Sequence, residues 1–205
     1  MEFYYLDKHI AVCEKESGLL SEGDAKDSMP TLLKEALAEK GEATDIFPVH
    51  RLDRETEGIM VYARTKEAAA ALSREILDGT FKKEYVARVH GTPEPSSGTM
   101  EDLLFYDRTK NRSFPVKRER KGVKRAFLDY ETLSTDESSK TSLVRIRLHT
   151  GRTHQIRVQF ASRKMPIVGD RKYGAPPSDA SLRLRACMLE LLHPETGKIM
   201  RFEKV

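Results

Sequence analysis

Two cysteines, Cys13 and Cys187, are too few for a disulfide framework in a chain of 205 residues, and they suit a reducing cytoplasm. No run of about 18 apolar residues exists, which argues against a membrane-spanning helix. The N-terminal stretch MEFYYLDKHIAV carries Asp7 and Lys8 where a secretory signal needs an apolar run. These absences predict a cytoplasmic protein that does not engage membranes. Several chemistries lack their signatures as well. No two glycines stand one residue apart, so the dinucleotide-binding GxG turn is missing, as is the phosphate-binding GxxxxGK[ST] loop. Neither is there a GxSxG elbow, an HExxH pair or a CxxC pair. His149 and His154 stand five residues apart across Gly151, a poor spacing for a metal on a helix. Nucleotide-cofactor and zinc enzymes are therefore unsupported.

What is present describes a globular chain long enough to bury its own core. Hydrophobic residues make up 39% and charged residues 33%, too apolar a balance for disorder. The length favours one domain over two. The net charge is +4, but it is unevenly placed. Residues 108–125 hold nine basic side chains and one acid, Glu119, for a local charge of +8, which leaves the remainder at −4. Such a concentration fits a surface that meets a polyanion, or a solvated mobile loop.

Glu2 to Cys13 mixes aromatic and β-branched residues and predicts one strand, followed by a loop from Lys15 to Lys26. Ser28 can cap a helix over Pro30 to Lys40, with Leu33, Ala36 and Leu37 on one stripe. Ile59 to Ala63 predicts a buried strand. Thr65 can cap a helix over Lys66 to Leu77 that ends at Gly79. Phe81 to His90 predicts a strand, and Ala126–Leu133 and Ser142–His149 predict a hairpin pair. Thr153 can cap a helix carrying Ile156 and Phe160, and Leu182 to Leu192 suits strand or helix. Lys198 to Glu203 predicts a last strand. Mixed elements without βαβ alternation favour an α+β fold.

Two segments carry chemistry. In HRLDRETEG (His50 to Gly58), Asp53 sits between Arg51 and Arg54 on a turn that enters a buried strand. The arginines favour its charged form and can bind phosphates on either side of a reacting nucleotide. Taken alone, a surface ion pair explains the pattern as well. In HTGRTHQIR (His149 to Arg157), Arg152, His154 and Gln155 crowd a helix entry, a setting that can hold an anion.

Together these segments resemble the motifs of the RluA-type pseudouridine synthases, HRLDxxTSG and TGRTHQIR followed by PIVGDxxYG. The stretch from Lys82 to Gly91, KKEYVARVHG, is similar to that family's KxYxAxVxG strand, and LRLRACMLELLHPETGK (Leu182 to Lys198) to its LHAxxLxFxHPxTG segment. The resemblance implies an α+β fold with a mixed, largely antiparallel sheet, flanking helices and a central RNA-binding cleft. It implies isomerisation of a uridine in ribosomal or transfer RNA without cofactor or metal. Asp53 falls on the family's essential aspartate, which attacks C1′, deprotonates C2′ or attacks C6. Tyr85 falls on the aromatic that stacks on the extruded base, and Arg51 on the position that helps extrude it. Arg157 or Arg152 would be the basic partner of Asp53. Three departures concern loop shape. Glu57 replaces a Ser, and is expected to point away or pair with Arg54. Glu16 replaces a Pro, and Arg185 a His.

Only 49 residues precede His50, so a single catalytic domain over residues 1–205 without an S4 RNA-binding domain is expected, acting as a monomer. RNA affinity would then fall to the basic segment, with Lys117, Arg118, Lys121 and Lys124 on phosphates and Phe114 either stacking on a base or packed on the core. Asp170, in the GDxxYG stretch, is expected to shape a turn. Two other classes compete. A non-catalytic RNA-binding protein would not need Asp53, Tyr85 and Arg157 together, and a metal-dependent nuclease would need more carboxylates beside Asp53 and Glu57.

Overall fold

A computed structural model describes residues 1–204. The chain divides into two compact units, residues 1–83 with 186–204, and Glu84–Arg185. The strands form a mixed, largely antiparallel sheet, and three α-helices complete the α+β architecture. No helix among the described residues is long and apolar enough to cross a membrane.

In the first unit, β1 (Phe3–Leu6) and β2 (Ile10–Lys15) form an antiparallel hairpin in place of the single expected strand. Asp7 causes the break. Its Oδ1 accepts the backbone N–H groups of His9 and Ile10, both at 2.8 Å, and so closes a tight turn. After helix α1 (Met29–Glu39) and the short β3 (Phe47–Pro48), β4 (Glu57–Ala63) runs antiparallel to β2, pairing Ile10 with Ala63 and Lys15 with Gly58. Next to β4 lies β10 (Leu184–Leu192), which turns back into β11 (Ile199–Glu203). The stretch that suits strand or helix is thus a strand. Residues 58–63 are all buried, as expected of a strand covered on both faces.

Helix α2 (Lys66–Asp78) starts where Thr65 Oγ1 accepts the Ala68 N–H at 3.1 Å and ends at Gly79, whose φ of 74° suits a residue without Cβ. Its buried Ala68 and Leu72 join Ile10, Val12, Ile59, Val61, Phe81, Leu189 and Leu191 in one apolar cluster. Ser28 caps α1 in the same manner, its Oγ accepting from Thr31 N.

The second unit is a meander. Its strands follow the order β5 (Lys82–His90), β9 (Thr141–Leu148), β8 (Val123–Asp136), β6 (Ser97–Asp107) and β7 (Arg112–Val116), each pair antiparallel. Helix α3 (Gln155–Ser162) packs on β6 and β7, burying Val158 with Leu104, Ala126 and Tyr173. The basic segment is therefore loop only in part, at 108–111 and 117–122. Residues 112–116 are β7, and 123–125 open β8. Aromatic rings explain the order. Phe105 pairs with Phe114 across β6 and β7, Arg120 covers Phe105 at 5.0 Å, and Lys110 and Arg112 cover Phe114 at 5.7 and 5.4 Å.

Candidate active site

Arg51, Asp53 and Arg54 share one turn of the first unit, while Tyr85, Arg152, His154, Gln155 and Arg157 belong to the second. The turn is built from its backbone outward. His50 is half-buried against Phe81, its Nε2 accepting the Val61 N–H at 3.1 Å. Burial, reinforced by the nearby Lys83 charge, pushes its pKa down to about 3, so the ring is neutral. Ser21 Oγ accepts from Leu52 N at 3.0 Å and donates to Leu52 O at 2.8 Å. Thr56 N closes the turn on Asp53 O at 3.0 Å. Gly58 finishes it with φ 127°, and a Cβ there would stand 2.2 Å from the carbonyl oxygen of Ala186. Only glycine permits so close an approach to β10.

Asp53 itself is half-buried, and both flanking arginines are exposed. Arg51 pairs with Glu22 at 3.1 Å. Arg54 pairs with Asp27 at 2.6 Å and donates to Gly18 O at 2.8 Å, so its guanidinium has carboxylate company other than Glu57, which opens β4.

The second motif forms a different turn from the one expected. Thr153 does not cap α3. The N-cap residue is His154, in a left-handed conformation (φ 55°) and without a capping side-chain bond. The Gln155 side chain supplies the missing order. Its Oε1 accepts from Thr150 Oγ1 at 2.8 Å and Arg152 N at 3.0 Å, while its Nε2 donates to Phe127 O at 3.1 Å. His154 Nδ1 lies 3.0 Å from Tyr173 Oη, which accepts the Ser113 N–H at 2.8 Å. Both side chains are buried inside the turn. Arg152 is half-buried, its Nε donating to Arg125 O.

Arg157 and Asp170 form a buried bidentate pair, Nε to Oδ2 at 2.7 Å and Nη2 to Oδ1 at 2.8 Å. Asp170 also accepts from Tyr173 N at 3.2 Å, capping a short 3-10 turn, Arg171–Tyr173. It shapes a turn, and it holds Arg157 as well. Tyr85 is buried on β5 opposite Ile146.

Phe114 is half-buried with cations over its ring, whereas Lys117, Arg118, Lys121 and Lys124 are exposed. Among the described residues no three His, Cys, Asp or Glu side chains come together in a way that could hold a metal. Two positioning residues escape the motif reading, Ser21 and Lys15, as does the bond of Asp170 to Arg157. Lys15 had a signal, since period-two alternation along β2 puts it on one face with the buried Ala11 and Cys13.

Comparison with known proteins gives this arrangement its class. The family described as RNA pseudouridylate synthase matches residues 9–162. The dual-specificity RNA pseudouridine synthase RluA of Escherichia coli strain K12 is 36% identical, over 97% of this chain and 90% of that protein. The protein of the same description from Yersinia pestis is also 36% identical, over 97% and 96% of the two chains. The solved structure of human RNA pseudouridylate synthase domain containing 4 superposes with a TM-score of 0.79 at 25% identity, covering 99% of this chain and 87% of that one. Fold and motifs thus define an RNA-modifying isomerase. The chain belongs to the RNA pseudouridylate synthase family and is a catalytic domain of the RluA type.

Proposed function

We propose that the enzyme converts a specific uridine in ribosomal or transfer RNA to pseudouridine with Asp53 as the catalytic carboxylate. The observation that carries this reading is the turn itself. Its backbone is bonded from Leu52 to Thr56, and it delivers a half-buried Asp53 between two exposed arginines. The reaction breaks C1′–N1, forms C1′–C5, expels the C5 hydrogen as a proton and returns a proton to N1. Atoms balance without a co-reactant. Asp53 acts on C1′, on the C2′ hydrogen or on C6. Tyr85 stacks on the extruded base and assists proton removal at C5, and Arg157 or Arg152 is the basic partner of Asp53. The chain works as one catalytic domain.

Arg51, Arg54 and Arg152 take phosphates near the target nucleotide. Arg51 can exchange Glu22 for a phosphate at little cost, because an exposed ion pair contributes little. His154 and Gln155, being buried, act on RNA only through the turn they hold. Lys117, Arg118, Lys121 and Lys124 bind outlying phosphates. Replacing these four by alanine should weaken binding and lower the slope of log K against log salt by about 0.7 for each single-strand phosphate that is no longer neutralised. An unchanged slope in filter binding would remove the segment from the RNA surface.

The direct test is release of tritium from RNA labelled at uridine C5, run in EDTA on separated ribosomal and transfer RNA. Release from one pool names the substrate. Absence of release from both, with RNA bound, would overturn the reading.

A further inference from the structure

Strand β5 opens with Lys82, Lys83 and Glu84, and strand alternation sends Lys83 to the face opposite its two neighbours. Lys82 pairs with Glu190 at 2.6 Å, and Glu84 lies 4.0 Å from Arg145. Lys83 instead shares its face with Tyr85, two residues and about 7 Å further along the strand.

Four lysines and arginines of the first unit are shielded from solvent, and three of them are satisfied. Lys15 Nζ donates to the carbonyls of Glu16, Arg54 and Thr56 at 3.0, 2.9 and 2.7 Å. Arg64 pairs with Glu42 at 3.0 Å and also donates to the carbonyls of Asp7 and Ala43. Lys82 has Glu190. The fourth, Lys83, makes no hydrogen bond or ion pair among the described residues. Its company is the Phe81 ring, 5.8 Å from Nζ, and the neutral imidazole of His50. Neither is a counter-charge, and burial lowers the Lys83 pKa with no carboxylate to oppose it. A half-buried ammonium without an anion lowers stability, so folding alone does not explain the residue. An anion that arrives with the substrate does.

RNA carries such an anion at every nucleotide. A nucleotide whose base lies on Tyr85 extends through its ribose to a phosphate, over a distance similar to that from Tyr85 to Lys83. The ammonium offers non-bridging oxygens a full charge and three N–H donors. We propose that Lys83 is a substrate-binding residue that takes a phosphate of the target uridine, so that one face of β5 holds both the base and the backbone of the extruded nucleotide. The inference rests on the proposed reaction on RNA with Tyr85 as the stacking residue. A phosphate contact fixes the register of the nucleotide and reads no sequence. It forms when the nucleotide is extruded and does not change as C1′–N1 breaks, so it acts on KM and not on kcat.

The test has three parts. First, kcat and KM are measured on the RNA pool, ribosomal or transfer, that releases tritium. Lys83→Met should raise KM about 10- to 100-fold, the range of a hydrogen bond to a charged group, with kcat little changed. Lys83→Arg should recover part of that loss, and Lys82→Met, on the opposite face, should match wild type. Second, an RNA fragment spanning the modified uridine is nicked on its 5′ or 3′ side, with the terminal phosphate of the uridine present or removed. Filter binding by wild type should weaken by the same factor when the phosphate on one side is removed, and Lys83→Met should be indifferent to its removal. Third, the urea midpoint of Lys83→Met should equal or exceed that of wild type, because a shielded unpaired cation is gone. Wild-type KM in Lys83→Met overturns the inference, as does a fall in kcat alone, or a KM raised as much by Lys82→Met. Wild-type binding that ignores both phosphates overturns it too, and so does Lys83→Met binding that still depends on them. Should Lys83→Met not fold, Lys83→Gln is held to the same outcomes in the first two parts. No tritium from either RNA brings down the proposed reaction and this inference with it. Release by wild type together with wild-type KM in Lys83→Met brings down this inference alone.

Discussion

Asp53→Asn is expected to lower turnover by about 1000-fold or more, the scale on which a reaction loses its nucleophile or its acid–base group. Folding and RNA binding should be little changed. The expectation follows from how the turn is held. The bonds that shape residues 52–56 run to backbone carbonyls, from Ser21, Lys15, Gly18, Ser17 and Thr56, and a change of the Asp53 side chain leaves each of them in place. Asparagine matches aspartate in shape, so the substitution removes a negative charge and a basic oxygen and little else. Each of the three routes open to Asp53 needs that oxygen, as a nucleophile at C1′ or C6 or as a base at C2′. RNA affinity depends on the arginines and lysines, and losing an acid near phosphate cannot weaken it through charge. Tritium release and filter binding on the same preparation check the result. A loss of RNA affinity as large as the loss of turnover would assign Asp53 to binding or folding instead.

The parts of the fold that are legible from sequence are those whose cause is local. Ser28, Thr65 and Gly79 mark helix ends through bonds or backbone angles within four residues, and they sit where expected. The β8–β9 pair follows from alternation on both strands. What is not legible depends on partners distant in sequence, or on side chains that take over backbone duties. Asp7 breaks an otherwise strand-like stretch because its carboxylate reaches two backbone N–H groups, and composition alone does not separate such an aspartate from a solvated one. Gln155 looks like an RNA contact from its charged neighbours, yet its amide is spent joining Thr150, Arg152 and Phe127. The basic segment suggests a solvated loop, but Arg112 and Arg120 lie over the rings of Tyr173 and Phe105, and strand pairing absorbs much of its length. The site divides the same way. Asp53 is visible in its motif, whereas Lys15, 38 positions earlier, is seen to serve it only when the carbonyls of Arg54 and Thr56 are placed around its ammonium.

Asp170→Ala should cost about 3–5 kcal/mol of stability, because it takes a bidentate carboxylate from a buried guanidinium. The Arg157 and Asp170 side chains are 3% and 0% exposed, so water cannot replace the two bonds that join them. The substitution also takes the side-chain acceptor from Tyr173 N, leaving only the Asp170 carbonyl, and loosens the ring that Arg157 and Arg112 both cover. Asp170→Asn keeps an acceptor oxygen and the side-chain volume and should cost less. Arg157→Lys keeps the charge but loses the planar fork that matches two carboxylate oxygens, and should fall between the two. Urea unfolding of the three variants gives the ranking. Turnover measured where each is still folded then separates the two tasks of the pair. If Arg157 serves Asp53, releasing it from Asp170 lowers kcat beyond what instability explains, in Asp170→Ala more than in Asp170→Asn. A wild-type urea midpoint for Asp170→Ala would mean that Arg157 finds water or another acceptor when its partner leaves, and the pair would then hold neither the turn nor the arginine.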